Sequence, residues 1–365
     1  MNFKLRKLNI KQYLWSIVLA FLFIMSLLIP CVSTYKYSDQ NLKLVDLPPI
    51  VKLKKLDENY GVYIHKNLYP VVFFLNGKVD KVPQRKAENL NERKDYYLVN
   101  NNLLTFDYSD IKDFTKINYD DVKIIYNSRI INNEQLIYVW NASNIFGTDS
   151  LGRDIFTRIF EGIKISFIIG FVASIVNMVI GVVYGGMAGY LGGKLDVLML
   201  GFLNVIYSIP SVLITILLSI LMKPGIVTII IVIGCVYWVS MARQVRAEVM
   251  AIKQKDFILA EKIIGLPAYK IFFKHIIPNI KEVILTTLIV NVQNAIFTEA
   301  YLSFLGLGLP APVASLGTLI NDAVSNFRSN PYQLIIPFVA IVLIFICLDN
   351  IIKVRKNGKL KNMYV

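Results

Sequence analysis

The residues able to do chemistry are few, and they stand out because their surroundings are apolar. Glu299 is the one carboxylate set well inside an uncharged stretch. A charge within hydrocarbon is costly and faces a cavity or a partner, so Glu299 either lines or braces a path through the membrane, with a structural ion pair as the rival reading. Asn291, Gln293 and Asn294 lie on the same run. Their amides can bond a passing solute or join helices to each other. Nothing further has catalytic or metal-binding spacing. The two histidines, His65 and His275, are far apart, and each of the three cysteines (Cys31, Cys235, Cys347) sits in or beside an apolar run, so neither a His-rich metal site nor a disulfide framework is written here. Gly-Lys occurs at Gly77, Gly193 and Gly358, each time followed by Val or Leu, so no phosphate-cradling G-x-x-x-x-G-K-[ST] loop is present.

The elements that position these residues follow from composition. Of 365 residues, 55% are hydrophobic and 18% charged, with a mean hydropathy of +0.53; a water-soluble domain carries about a quarter charged residues. Uncharged runs place membrane helices near Tyr13–Val32, Ile165–Tyr184, Val197–Leu221, Ile226–Met241, Val283–Phe304 and Ile335–Ile352, each near the ~20 residues a span needs. Six spans are expected. Lipid cannot satisfy open backbone groups, which makes helix the default. The first run is read as a retained anchor, because no small-x-small cleavage site follows it. Basic residues flank one side of these spans: Lys4, Arg6, Lys7, Lys11 and Lys194, eight more between Arg243 and Lys281, and five from Lys353 to Lys361. The opposite short loops hold Lys223 and Arg328. The positive-inside rule puts both termini in the cytoplasm, and the net charge of +14 then has a topological cause rather than a nucleic-acid one.

Between the first two spans, Tyr35–Glu161 is nearly neutral and rich in charge. Asn76-Gly77 sits between apolar alternating runs, a hairpin cue, and further strand-like runs occur at Gly61–His65, Tyr96–Val99, Val122–Tyr126 and Gln135–Val139. Residues Leu42–Val139 are expected to form a small β-rich or α+β extracellular insert, with the Asn-rich Val99–Leu103 equally readable as loop.

Two segments carry mechanism. In the loop 243–281, Gln254–Ile264 has an apolar stripe, Gly265 suits the left-handed position after a helix, and Pro267 stops continuation. A second short helix, Ala268–Ile276, is expected to end before Pro278. This makes a helix–Gly–helix elbow, or an ordinary amphipathic hairpin. Upstream, Thr148, Asp149 or Ser150 can cap a helix with Leu151, Ile155, Ile159 and Ile163 on one face, and Asp154 and Arg158 are spaced as an i,i+4 pair.

The stretch Asp256-Phe-Ile-Leu-Ala-Glu-Lys-Ile-Ile-Gly265, continuing through Pro278-Asn279, resembles the EAA signature of ABC importer permeases, specifically the C-type permease of dipeptide and oligopeptide uptake systems. Gly147-Thr-Asp149-Ser-Leu-Gly152-Arg153-Asp154 with Arg158, and Glu299-Ala-Tyr-Leu-Ser-Phe-Leu-Gly306-Leu-Gly308, are similar to two further elements of that subfamily. The family's Glu-Ala-Ala falls on Leu259-Ala260-Glu261, so Ala260 and Gly265 match, and Glu261 offers a carboxylate from the neighbouring position. The resemblance implies an all-α membrane protein of the type-1 importer permease kind, not an enzyme. Asp256, Leu259, Ala260, Glu261, Gly265 and Pro267 would form the coupling helix that docks on a cytoplasmic ATPase. The partners implied are a second permease, two ABC ATPases that bind ATP and magnesium, an extracellular substrate-binding protein and a peptide; this chain holds no cofactor. A nickel or other solute is the alternative cargo within the family, and an ion-gradient-driven carrier the alternative outside it. The expected layout is 1–34 N-terminus and anchor, 35–145 insert, 146–352 permease domain and 353–365 cytoplasmic tail, in the cell membrane.

Overall fold

The structure, a computed structural model, describes residues 10–67, 69–89, 91–109, 122–131 and 136–363. The basic residues Lys4, Arg6 and Lys7, and Gln135 at the head of one expected strand, lie outside them. The chain divides into two compact units, one formed by Met1–Ser33, Ile159–Val324 and Pro337–Val365, the other by Thr34–Arg158 and Ser325–Ile336.

The first unit opens with helix α1 (Ile10–Val32). The second unit then supplies ten strands: β1 (Ile50–Lys55), β2 (Tyr60–Ile64), β3 (Pro70–Phe74), β4 (Val79–Lys81), β5 (Arg85–Asn89), β6 (Lys94–Val99), β7 (Asn102–Asp107), β8 (Lys123–Tyr126), β9 (Arg129–Ile131) and β10 (Leu136–Trp140). They form two antiparallel sheets, ordered β10-β1-β2-β3-β4 and β5-β6-β7-β8-β9. Val62, Ile64 and Val72 of the first sheet share a core with Tyr97, Leu104, Phe106 and Ile124 of the second. Val51, Leu53, Val71 and Phe73 pack a separate cluster with Leu44 and Leu47. The first sheet is therefore covered on both faces, which is why β3 reads Pro-Val-Val-Phe-Phe without alternation. His65 is structural: its Nε2 lies 2.7 Å from the Val45 carbonyl, and Nδ1 accepts the Asn67 N–H at 3.1 Å. Burial holds its pKa below the ordinary value.

The chain then enters α2 (Ile155–Leu191), α3 (Gly193–Ser208), α4 (Ser211–Leu221), α5 (Ile226–Lys253), α6 (Asp256–Ile263), α7 (Ala268–Phe304), α8 (Leu316–Val324) and α9 (Tyr332–Met363). Among the described residues, α1, α2, α5, α7 and the Tyr332–Val354 part of α9 are long and apolar enough to cross a membrane, and α3 with α4 makes a sixth if that bent pair is one span. Two expectations need correction. The expected span Val197–Leu221 is broken by 79°, because Pro210 cannot continue the hydrogen-bond ladder and holds Ile209 extended (φ −88°, ψ 128°). The short helix expected to stop before Pro278 instead runs on through Phe304. A π-helical segment, Ile271–Ile276, ends two residues before the proline, and its wider turn relieves the clash and missing donor that would break a regular helix.

The helices approach closely where side chains vanish. Gly181, Gly185 and Gly189 recur every four residues on α2 and abut α5; a Cβ at Gly185 would lie 2.2 Å from the Ala242 carbonyl oxygen. That contact is the small-residue packing of membrane helices.

Candidate functional site

Helices α5 and α7 carry facing polar stripes within their apolar lengths. On α7, Thr287, Asn291, Asn294 and Thr298 recur at steps of four, three and four, one face of a helix. On α5, Tyr237, Ser240, Gln244 and Glu248 do the same. The Tyr237 and Thr298 hydroxyls are 2.7 Å apart, and Ser240 Oγ donates to Asn291 Oδ1 at 3.2 Å. Asn291 is 1% exposed, and among the described residues its Nδ2 has no hydrogen-bond partner. A cavity of about 380 Å³ opens along this seam, lined by Gln244, Glu248, Glu282, Thr287 and Asn291 among others. A second, of about 420 Å³, lies toward the α3–α4 break and is lined by Tyr207, Pro210 and Tyr237. Ser240 and Asn294 line both. Gln293, expected beside Asn291 and Asn294, lines neither.

Glu299 stands apart from this seam. It is wholly buried; Oε2 accepts from Ser166 Oγ of α2 at 2.9 Å, and Oε1 from Ser303 Oγ at 2.9 Å. The carboxylate ties α7 to α2.

The elbow is built as a braced tip. Ile258 is buried and packs in one cluster with Val245 and Val249 of α5 and Ile271, Ile276 and Ile280 of α7, anchoring α6. Beside the exposed Asp256 and Lys262 its outward side carries an apolar set: Leu259 and Ala260 are exposed, Ile263 is 86% and Ile264, just past its end, 77% exposed. Gly265 follows with φ +83°, a backbone state that L side chains resist. Pro267 then leads into α7, and Asp256 opens α6 at an exposed position. Glu261 turns inward, Oε1 lying 2.8 Å from His275 Nδ1, so this carboxylate braces the elbow.

The Gly147–Asp154 element belongs to the second unit and is a loop, not the first turn of a helix. Helix α2 starts at Ile155, leaving Leu151 outside it. Its cap is Asp154 rather than Thr148, Asp149 or Ser150: Asp154 Oδ2 accepts from the Thr157 N–H and hydroxyl, each at 2.8 Å. The reason lies in what occupies the earlier residues. Asp149 accepts from the Leu151 and Arg153 N–H groups at 2.9 Å, from Arg153 Nε at 2.7 Å, and from Arg158. Thr148 Oγ1 accepts from the Leu47 N–H at 2.9 Å. Gly147 and Gly152 have positive φ, and a Cβ on Gly152 would lie 1.9 Å from the Asn41 carbonyl oxygen.

Long apolar helices, a polar seam between two of them and a projecting elbow make this a helical protein with five or six candidate membrane spans among the described residues. The family of binding-protein-dependent transport system inner membrane components matches residues 181–354. The chain is 42% identical over 200 residues to the oligopeptide transport system permease protein OppC of Bacillus subtilis (54% of this chain, 66% of that one). It is 43% identical over 199 residues to the dipeptide transport system permease protein DppC of Lactococcus lactis (54% and 57%). To OppC of Escherichia coli K12 it is 39% identical over 208 residues (57% and 69%). This chain belongs to that inner membrane component family. It spans 57–66% of the length of the first relatives it matches. A solved structure of the MetNI methionine ABC transporter, inward facing, overlays at a TM-score of 0.43 and 15% identity, covering 55% of this chain and 97% of that one.

Proposed function

We propose that this chain is one permease subunit of an ATP-driven importer of oligopeptides or dipeptides, working with a second permease, two cytoplasmic ABC ATPases and an extracellular substrate-binding protein. Both termini are cytoplasmic in this reading, the β-rich unit is extracellular, and the helices follow the type-1 importer plan. The observation that carries it is the elbow: a tip with exposed apolar residues, anchored through Ile258 and the Glu261–His275 contact to the two long helices α5 and α7, which also enclose the polar seam. Motion imposed on the tip by an ATPase therefore reaches the cavity walls through packed side chains. The peptide assignment draws on the names of the relatives.

The test is Gly265→Val in the assembled transporter. No atom lies within 4 Å of a Cβ at Gly265, so the only change is backbone strain of about 1–3 kcal/mol at a positive φ. Peptide uptake and ATPase coupling are expected to fall about tenfold or more, with membrane insertion unchanged, while Gly265→Asn, which tolerates that φ, retains most uptake. Undiminished uptake by the valine variant removes the coupling role.

A further inference from the structure

The cavity of about 420 Å³ beside the α3–α4 break falls within the range of about 300–1,000 Å³ of small-ligand pockets. The helices it touches set its depth. Tyr237 lies eleven residues into α5, and Asn294 ten residues short of the end of α7. Each therefore stands about 15–17 Å from the helix end opposite the elbow, half of the roughly 30 Å of hydrocarbon. Non-helical backbone occurs at such depth only where protein buries it or where it borders a water-filled cavity. Here the extended Ile209 and the Pro210 that follows it line the cavity directly.

The lining has two chemistries. Ile206, Ile214, Val236 and Val239, with Tyr207 and Tyr237, make an apolar and aromatic wall, and none of the described lining residues is charged. Ser240 and Asn294 also belong to the seam cavity between α5 and α7, so the two spaces meet at these residues. One turn from Asn294, Asn291 is 1% exposed, with Oδ1 taken by Ser240 and Nδ2 unpaired among the described residues. A buried donor in that state suits a carbonyl oxygen arriving from the seam.

We propose that the cavity at the α3–α4 break is a side-chain subsite for an extended peptide. A main-chain carbonyl rests on Asn291 Nδ2, and an adjoining apolar or aromatic side chain enters between Tyr207, Tyr237 and Ile214. A charged side chain is disfavoured there, because no group in the wall compensates its lost hydration. The proposal rests on the reading of the chain as a peptide permease, and it gives the permease a preference of its own, in addition to any preference of its binding protein.

The complete transporter in proteoliposomes, with its ATPases and binding protein, tests it. Ser211 lines the cavity and is half-buried, so Ser211→Trp fills the space. Uptake of Ala-Phe-Ala and Ala-Ala-Ala is compared between this variant and the unaltered chain, so the binding protein's own preference cancels. The Phe-to-Ala uptake ratio is expected to fall about tenfold, the scale on which an apolar pocket discriminates by size. Asn291→Leu is expected to slow both peptides about fivefold, the scale of one hydrogen bond, and to leave the ratio unchanged; undiminished uptake by that variant removes the carbonyl contact. Where Ser211→Trp does not assemble, Ser211→Leu is measured, with a smaller fall in the same direction expected. An unchanged ratio in the Ser211 variant overturns the subsite, and if both peptides slow by one factor the cavity belongs to packing against the second permease instead. Absence of ATP-dependent uptake of either peptide by the unaltered assembly overturns the peptide reading beneath it.

Discussion

Glu299 shows how an apolar helix can hold a carboxylate. Two serine hydroxyls, from Ser166 and Ser303, replace the water that lipid withholds. Removing the carboxylate while leaving the serines orphans two buried donors, at about 1–3 kcal/mol for each unsatisfied group. Glu299→Leu is therefore expected to lower the melting temperature of the detergent-solubilised protein well below that of Glu299→Gln, whose amide still accepts from one hydroxyl and can donate to the other. Equal melting temperatures would place the weight of this residue elsewhere. At this scale the sequence was informative for isolated polar residues and silent on their partners. Glu299 and Asn291 were visible because their neighbours are apolar. Ser240 and Tyr237 were not, since serine and tyrosine are unexceptional in a membrane helix and matter only once α5 is seen to face α7. Likewise, nothing local reveals that Glu261 turns toward His275, a residue beyond the Gly265 turn.

Among the elements, the contact of α2 with α5 is set by absence. Gly185 lies where any side chain would meet the Ala242 carbonyl. Gly185→Leu is expected to part these helices and destabilise the protein by about 1–3 kcal/mol or more, the usual range for overpacking. Gly201→Leu on α3, where nothing lies within 4 Å, is the control; a melting curve for each separates them. The four-residue glycine interval on α2 was a readable signal that the hydropathy pattern overshadowed. Turns divided along chemical lines. Asn76-Gly77 announced its hairpin correctly, and Gly77 has φ +85°. The turns at Asn100-Asn101 and Asn127-Ser128 also take two positive φ values each, as hairpin turns of this kind require, yet without glycine they give no hairpin signal, and Val99–Leu103 reads equally as loop. Strand β5, Arg-Lys-Ala-Glu-Asn at a sheet edge, has no apolar periodicity to detect. Prolines misled in both directions: Pro210 breaks a span read as continuous, and Pro278 is absorbed by a π turn in a helix read as ending.

Across the whole molecule, the β-rich unit is discontinuous in sequence. Tyr332 Oη donates to the carbonyls of Leu47 at 3.0 Å and Thr148 at 3.1 Å, and Gln333 Nε2 bonds Asp46 at 2.7 Å and the Thr148 carbonyl at 2.9 Å. Both carbonyls keep a second donor, the Thr148 N–H on Leu47 and Gln333 on Thr148. Tyr332→Phe should therefore cost about 1 kcal/mol rather than the full penalty of an orphaned group. Hydrogen exchange is expected to quicken about fivefold at Leu47 and Thr148 and to stay unchanged in β6 and β7; uniform change across both sheets would contradict this local role. The same arrangement has a bearing on biogenesis. Residues 34–158 leave the ribosome well before 325–336, and at ordinary elongation rates the interval is about ten to thirty seconds. For that time the nascent sheets wait without their closing strap, and their completion reports that the last membrane helix has begun to emerge.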